Sequence, residues 1–566
     1  MQKVKLKSPI LWVALILLMV TVLAGCNSGK ENKVSESKPA ATTPASSSQA
    51  GPSQSSPDNG PVSTDGSFKE PLEMSWFVVY DWVTITPWGE DLSTKWIKDN
   101  KNVQINWVAA NGAAEQNFNN MVVSNSLPDV LTMDRGANIE KLVNANMLAP
   151  LDPYLDKYPN LKKWLGDDAL NMLRSADGKL YQFPNWYTGA GELGGNGGWM
   201  IQTKVYKELG SPKLETFEDL EQYLKLIKEK YPDMVPLDVQ EKFTSFPIIY
   251  SGFGENKTFA NVDKFFFFQD GDKLRPIFDD PALKKALLYA SQLFRNKLIT
   301  QDAFTQTYDQ YMEKVKAGKA AVVVSADAFN QGAEGSKAGR LVDTEPLYKA
   351  IWPIHDPGVD ASKVKPDPKY RTGWNSTVIT KNAKDPEKLF AFMDWFTSPD
   401  GQRIRFDGPP GVLWDEIGAD GVVIQNNKYT EEEKSNLKLT SDFNWVANGN
   451  YFGEIDIKTK MKIDEKARPW DAWSTLAQKE VYGKTSFDAT QFEGIFPAPD
   501  TDEGIADQRV KDIMSELIAK AVFAKSDEAV EQLYEKAKAD AIEAGIGKVV
   551  AFKEAKWKEN LAKMNK

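Results

Sequence analysis

Met74-Ser75-Trp76-Phe77-Val78-Val79-Tyr80 reads as a strand, and the pattern that follows it decides the fold. A helix is predicted from Pro87 to Lys98, a strand at Val103 to Val108, a helix near Ala113 to Ser124, a short strand at Val130 to Met133 and a helix near Ile139 to Asn144. Strand and helix alternate, which predicts a parallel sheet with helices on both faces. In such sheets ligands sit beyond the carboxyl ends of the strands. The loops to watch are therefore Asp81-Trp82 after the first strand and Asp134-Arg135 after the third.

Further along, Asp177 to Trp186 is a turn-rich crossing, followed by a glycine-rich segment and a short strand at Trp199 to Thr203. Gly189-Ala190-Gly191-Glu192-Leu193-Gly194 matches the G-x-G-x-x-G dinucleotide pattern. That fingerprint needs a strand before it and a helix opening inside it. Here Pro184 precedes it, and Gly195, Gly197 and Gly198 oppose a helix, so a mobile loop is predicted instead. Thr216-Phe217-Glu218-Asp219 opens a helix with Phe217, Leu220, Leu224 and Ile227 on one face. Phe265 to Phe268 and Leu274 to Phe278 flank Asp270-Gly271-Asp272 as a hairpin, and the two aspartates suit a solvated turn better than a calcium loop, whose other ligands are missing. Asp280-Pro281 caps a helix through Phe294, and Ala320 to Ser325 is a continuously apolar strand followed by Asp327-Ala328-Phe329. Tyr370 to Ile379 carries an aromatic turn into a strand, and a helix starts at Asp385-Pro386. In the helical C-terminal part, Val510, Ile513, Met514, Leu517, Ile518, Ala521 and Val522 form one stripe that suits packing on the body.

The other end of the chain gives its address. Lys3, Lys5 and Lys7 precede an apolar run from Ile10 to Leu23 and then Ala24-Gly25-Cys26, the order of a secretory signal. The run falls short of the roughly 20 apolar residues of a membrane span. With cysteine directly after the small pair, residues 1–25 resemble a bacterial lipoprotein signal whose lipobox cysteine, Cys26, is diacylated. Residues 26–69 are rich in Ser, Pro and Thr and cannot bury a core. They are expected to form a disordered tether with an average span of roughly 30 to 40 Å. Residues 70–566 are left for the folded body.

Composition narrows the chemistry. Without the signal's three lysines the formal charge is −13, which disfavours nucleic acid and anionic lipid as electrostatic partners. Cys26 is the only cysteine, so no disulfide can form within the chain. The single histidine, His355, lies in a strand running into a turn and excludes zinc sites built from several His and Cys ligands.

Three local patterns occur in order along the body. They are Ser126-Leu127-Pro128-Asp129-Val130 with Leu148-Ala149-Pro150-Leu151-Asp152; Asp177-Gly178-Lys179-Leu180-Tyr181 with Pro184; and Gly373-Trp374-Asn375 before Ile379-Thr380-Lys381-Asn382 and Ser398-Pro399-Asp400-Gly401-Gln402. Together with the signal and tether they resemble the extracellular solute-binding lipoproteins of carbohydrate ABC importers, the family that includes maltose-binding protein, in its long Gram-positive branch. The resemblance implies a two-lobe α/β body of the type II periplasmic-binding-protein kind, each lobe a mixed sheet flanked by helices. It implies lobe 1 at roughly 70–185 and 312–356, lobe 2 at roughly 186–311 and 357–500, and C-terminal helices at 505–566 packed on the body. The expected ligand is a carbohydrate held in the interlobe cleft, and the expected partners are ABC permease subunits and, through the lipid, the outer face of the cytoplasmic membrane. The body is expected to be a monomer with no cofactor or metal. Carried over by position, Trp82, Trp186, Trp199 and Trp374 are candidate stacking platforms. Asp81, Asp134, Arg135, Asn185, Asp327 and Asn375 are candidate hydrogen-bonding groups, with Phe329 beside them. Residues 407–496, with Trp445, Trp470 and Trp473, depart from the family pattern and are expected to add a lid or subsite.

A surface glycan-cleaving enzyme is the competing reading. It needs two carboxylates about 5 to 10 Å apart across a sugar. Acids are plentiful, but no pairing motif accompanies them. A wall-attached adhesin fits less well, because neither repeats nor a wall-anchoring signal follow the body.

Overall fold

The computed structural model describes residues 66–338, 345–439, 443–462 and 470–564. Cys26, the signal and nearly all of the tether lie outside the described residues. Two sheets organise the body. Their strands are β1 (Leu72–Val78), β2 (Val103–Val108), β3 (Val130–Asp134), β4 (Gln182–Asn185), β5 (Gly198–Gln202), β6 (Val235–Val239), β7 (Ala320–Ser325), β8 (Tyr348–Ile351) and β9 (Asn375–Ile379). The first sheet has the order β2-β1-β3-β9-β4 and the second β8-β5-β7-β6.

β1 illustrates why the sheet is covered on both sides. Side chains alternate along a strand, so Met74, Trp76 and Val78 enter one core while Phe77 and Val79 enter the opposite one. Local signals fix the neighbouring helix. It begins at Leu92 rather than at Pro87, because Asp91 caps it by accepting the Thr94 N–H at 2.9 Å. The capping box at Thr216 and Asp219 and the Asp280 cap are both formed. The hairpin is shifted from its predicted register and pairs Phe267–Asp270 with Lys273–Pro276. The C-terminal stripe packs as expected: Val510, Met514, Leu517, Ala521 and Val522 belong to the largest core, with Ile513 and Ile518 against it. The same core holds Trp199, Leu237 and Val324 of the second sheet.

Strand direction places the functional edge. β9 runs antiparallel to β3 and β4, while β1, β2 and β3 run parallel. In the second sheet β5 is the antiparallel strand, and β6 and β7 run parallel. The chain therefore leaves the carboxyl end of β4 and enters the amino end of β5 through residues 186–197. It leaves the carboxyl end of β8 and enters the amino end of β9 through residues 352–374. Both crossings therefore join the edge of the first sheet at the carboxyl ends of β1 to β4 to the corresponding edge of the second sheet at the carboxyl ends of β6 to β8.

This topology corrects the expected division of the chain. β7 and β8, in the 312–356 segment assigned to lobe 1, pair with β5 and β6 in the second sheet. β9, in the 357–500 segment assigned to lobe 2, sits between β3 and β4 in the first. The fully apolar Ala320–Ser325 run would suit a central position in either sheet; only its pairing with Gly198 to Ile201 and with β6 decides. The glycine-rich loop also differs from expectation, since it is pinned. Arg371 Nη1 donates to the carbonyls of Gly189 and Gly191 at 2.7 and 2.9 Å, and Asp367 accepts the N–H groups of Asn196 and Gly197. A Cβ on Gly195 would lie 2.2 Å from the Tyr482 carbonyl oxygen, so close backbone approach explains that glycine.

Candidate functional site

At the carboxyl edge of the first sheet, Tyr80 and Trp82 follow β1, and Trp374 immediately precedes β9. Tyr80, Trp82 and Trp374 form a three-ring cluster: Tyr80 stacks on Trp82 at 5.4 Å and on Trp374 at 5.5 Å between ring centroids, and Trp82 and Trp374 lie 6.4 Å from each other. Trp445 closes the group from below at 6.1 Å from Tyr80 and 6.2 Å from Trp82, and is 3% exposed. Trp82 is 67% and Trp374 43% exposed, so two large apolar rings stand in solvent on a fixed base.

A directed chain of hydrogen bonds supplies that base. Ala447 N–H donates to Asn185 Oδ1 at 2.7 Å, Asn185 Nδ2 to Asn375 Oδ1 at 2.9 Å, and Asn375 Nδ2 to the Tyr80 hydroxyl at 3.2 Å. Tyr80 in turn donates to Asp134 Oδ1 at 2.6 Å. Burial, then the Asp134 hydrogen bond and charge, hold the Tyr80 phenol well above its usual range, so it remains a donor. Asn185 and Asn375 are fully buried. They order the platform from beneath, whereas Asp134 is exposed beside it.

Arg135 is also committed beneath the platform. Nε and Nη2 form a two-pronged pair with Glu493 at 3.0 Å each, Nη1 donates to the Thr372 and Asn375 carbonyls at 3.1 and 3.2 Å, and Nη2 to the Gly373 carbonyl at 2.5 Å. All five guanidinium N–H groups are thereby used. The Thr372 hydroxyl donates to the same Glu493 at 2.6 Å. Gly373 has φ +80°, and a Cβ there would lie 1.9 Å from the Asn185 carbonyl oxygen. The turn carrying Trp374 is thus fixed by an arginine clamp and by a glycine that no larger residue can replace without displacement.

The remaining predicted residues divide. Asp81 is exposed, and its Oδ1 accepts the Ala114 N–H at 2.7 Å, at the start of the Ala114–Val123 helix. Trp186 has φ +56° and is half-buried, with Phe406 and Phe452 edge-on and the Arg405 guanidinium 5.1 Å from its ring. Its surroundings are protein, so it does not join the exposed pair. Trp199 is 0% exposed inside the largest core and is no stacking platform, because β5 is covered on both faces. Asp327 follows β7 at the edge of the second sheet, accepts from Asn330 Nδ2 at 2.7 Å, and burial pushes its carboxyl up to about 6. Phe329 donates its N–H to the Asn196 carbonyl and lines a side cavity of about 410 Å³ with Met200, Tyr348 and Tyr482. A larger cavity of about 670 Å³ lies at Pro276 and the C-terminal helices and includes none of these residues.

The sequence reading names neither Tyr80 nor Glu493 as a site residue, and it places Trp445 only within the divergent 407–496 region. Tyr80 ends the first strand motif, a position that already points to the ligand edge. Trp445 belongs to the divergent region, and Thr377 Oγ1 donating to its carbonyl at 2.9 Å ties that region to β9. Glu493 had no local signal, since its partner is 358 residues away.

Residues 84–403 match the family described as bacterial extracellular solute-binding protein. The chain belongs to that family. Its solved relatives extend the likeness over the whole body of this solute-binding protein. An HMO binding ABC-transporter associated solute binding protein from Bifidobacterium longum infantis superposes with a TM-score of 0.65 at 16% identity, covering 86% of this chain and 98% of that one. The S. pneumoniae ABC-transporter substrate binding protein FusA, in complex with kestose, gives 0.64 at 18% identity over 87% and 100% of the two chains. The N-glycan transport solute binding protein NgtS from Streptococcus pneumoniae gives 0.54 at 18% identity over 87% and 99%. At these identities the likeness establishes the fold, a two-lobe solute-binding architecture. No curated protein sequence matches significantly.

Proposed function

We propose that this solute-binding protein is an extracellular, lipid-anchored receptor that binds an oligosaccharide in the interlobe cleft and delivers it to an ABC permease. One observation carries the reading: Trp82 and Trp374 stand exposed in a three-ring cluster with Tyr80, over a buried polar network, with Asp134 beside them. Sugar rings offer C–H faces that suit aromatic surfaces, and hydroxyls that suit a carboxylate and a phenol. The rings are held before any ligand arrives, which lowers the ordering cost of binding. Two crossing segments between the sheets suit hinge closure around such a ligand. The solved relatives named above, bound to or described by glycans, support the ligand class.

Diacylation of Cys26 would keep the receptor beside its permease, since two acyl chains anchor stably where one does not, and confinement raises the local concentration of the partner. Calorimetry and small-angle scattering on the full chain across a broad glycan panel test the reading. A binding glycan is expected to give heat and compaction without turnover. Absence of both across the panel, or hydrolysis of a reporter glycoside by the pure protein, would overturn it.

A further inference from the structure

The edge of the second sheet carries polar groups that the first-sheet platform does not use. Tyr308, 44% exposed, has its hydroxyl facing Gln331 and lying in the field of Asp327 and Glu241. Gln331 is 1% exposed; its Oε1 accepts from the Tyr311 hydroxyl at 2.6 Å, and its Nε2 has no hydrogen-bond partner. Glu241 Oε2 is likewise buried without a partner. Glu241 follows β6 and Asp327 follows β7, strands that run parallel and end side by side. Phe329 N–H donates to the Asn196 carbonyl, which ties this edge to the 186–197 crossing segment that follows Asn185. Buried polar groups in folded proteins are normally satisfied, so a buried carboxylate oxygen without a partner, near an exposed phenol backed by the Gln331 amide, marks an edge suited to hydroxyl groups.

Charge on this edge has a sign. Three carboxylates, Asp327, Glu241 and Glu334, act on the phenol, Glu334 being paired with Lys316 at 3.6 Å, and Arg135, Arg371 and Lys369 already have partners. Arg135 is held by Glu493, Arg371 by Asp488 at 2.8 Å and by two carbonyls, and Lys369 by Asp367 at 3.3 Å. Lys242, next to Glu241, is exposed. Two-pronged recognition of a carboxylate sugar calls for an arginine fork, which a single exposed lysine does not supply.

We infer that Glu241, Tyr308, Asp327 and Gln331 form a second contact wall for the glycan, and that this wall selects uncharged or amino-bearing sugars and rejects uronates. The inference rests on the carbohydrate-binding reading and names the ligand class within it. Like charge opposite a buried carboxylate is repelled in a medium that screens poorly. A neutral hydroxyl meets the carboxylate acceptors and the Tyr308 phenol instead.

The test takes the tightest-binding neutral oligosaccharide from the panel and the same oligosaccharide oxidised at C6 to its uronate. Calorimetry on the full chain is expected to give at least tenfold weaker binding of the uronate. The Glu241→Gln, Asp327→Asn double variant, isosteric at both sites, is expected to bring the two ligands within threefold of each other. Tyr308→Phe is expected to weaken the neutral ligand several-fold while keeping the ring that packs on Tyr311. A uronate that binds wild type as tightly as the neutral sugar would overturn the inference and leave carbohydrate binding standing. So would a tenfold discrimination that the double variant leaves intact. If no glycan of any charge binds, the carbohydrate reading fails and this inference fails with it.

Discussion

Arg135→Ala separates a clamp from a ligand contact. Removing the side chain leaves Glu493 buried without its countercharge, the two groups being 8% and 13% exposed, and strips donors from three carbonyls. Breaking a buried pair from one side costs about 3 to 5 kcal/mol, and the charge-assisted bonds to the carbonyls, nominally about 1.5 to 3 kcal/mol each, add only part of that because such terms do not sum. A destabilisation of about 4 kcal/mol is therefore expected, measured as the shift in the urea midpoint at constant slope. The paired Arg135→Ala, Glu493→Ala variant is expected to lose less than the sum of the single variants by about 2 kcal/mol, because it no longer buries a lone carboxylate. Arg135→Lys supplies charge without the planar fork and is expected to fall between. Glycan affinity should weaken in all of these, since the turn carrying Trp374 loosens. If Arg135→Ala abolished binding heat while the urea midpoint stayed at the wild-type value, Arg135 would be a ligand group and the clamp account would be wrong.

Trp374→Ala and Trp82→Ala are each expected to cost about 1 to 3 kcal/mol of glycan affinity, roughly tenfold to a hundredfold, with little loss of fold stability because both rings are largely exposed; unchanged affinity by calorimetry would refute the platform. Gly373→Ala is expected to weaken both stability and binding, as its Cβ would meet the Asn185 carbonyl at a left-handed φ, and a wild-type urea midpoint would contradict the close approach. The Asp327 carboxyl is raised from 3.8 to about 6 by burial. A raised acid opposes folding when ionised, so its cost is fully present above pH 6 and relieved as pH falls through 6 towards 4. Asp327→Asn should therefore stabilise the protein at pH 7.5 by about 2 kcal/mol, after allowance for partial exposure, and change nothing at pH 4; equal gains at both pH values would show a different cause. Cys26→Ala is expected to release the protein into the medium with glycan affinity intact, as read by fractionation and calorimetry, whereas retention at the membrane would point to an uncleaved apolar anchor.

The sequence by itself determined the elements. Val103–Val108 and Ala320–Ser325 are legible as strands because their composition suits no other state in a covered sheet, and Thr216, Asp280 and Asp385 announce helices because capping is local chemistry. It also pointed to the loops at the carboxyl ends of β1 and β3, where Tyr80, Trp82 and Asp134 gather, since the loop after a parallel strand is a matter of chain direction. Tertiary structure alone decided which sheet each strand joined. An apolar strand carries no address, and β7, β8 and β9 went to the sheets opposite to those expected. The same holds for roles within the site. Trp199 and Trp374 both flank strand motifs, yet one fills a core while the other meets solvent, because exposure depends on what packs from elsewhere in the chain. Arg135 read as a ligand group until Glu493, 358 residues away, took its fork. Distant pairing sets which polar groups remain free to bind, and sequence spacing has no access to it.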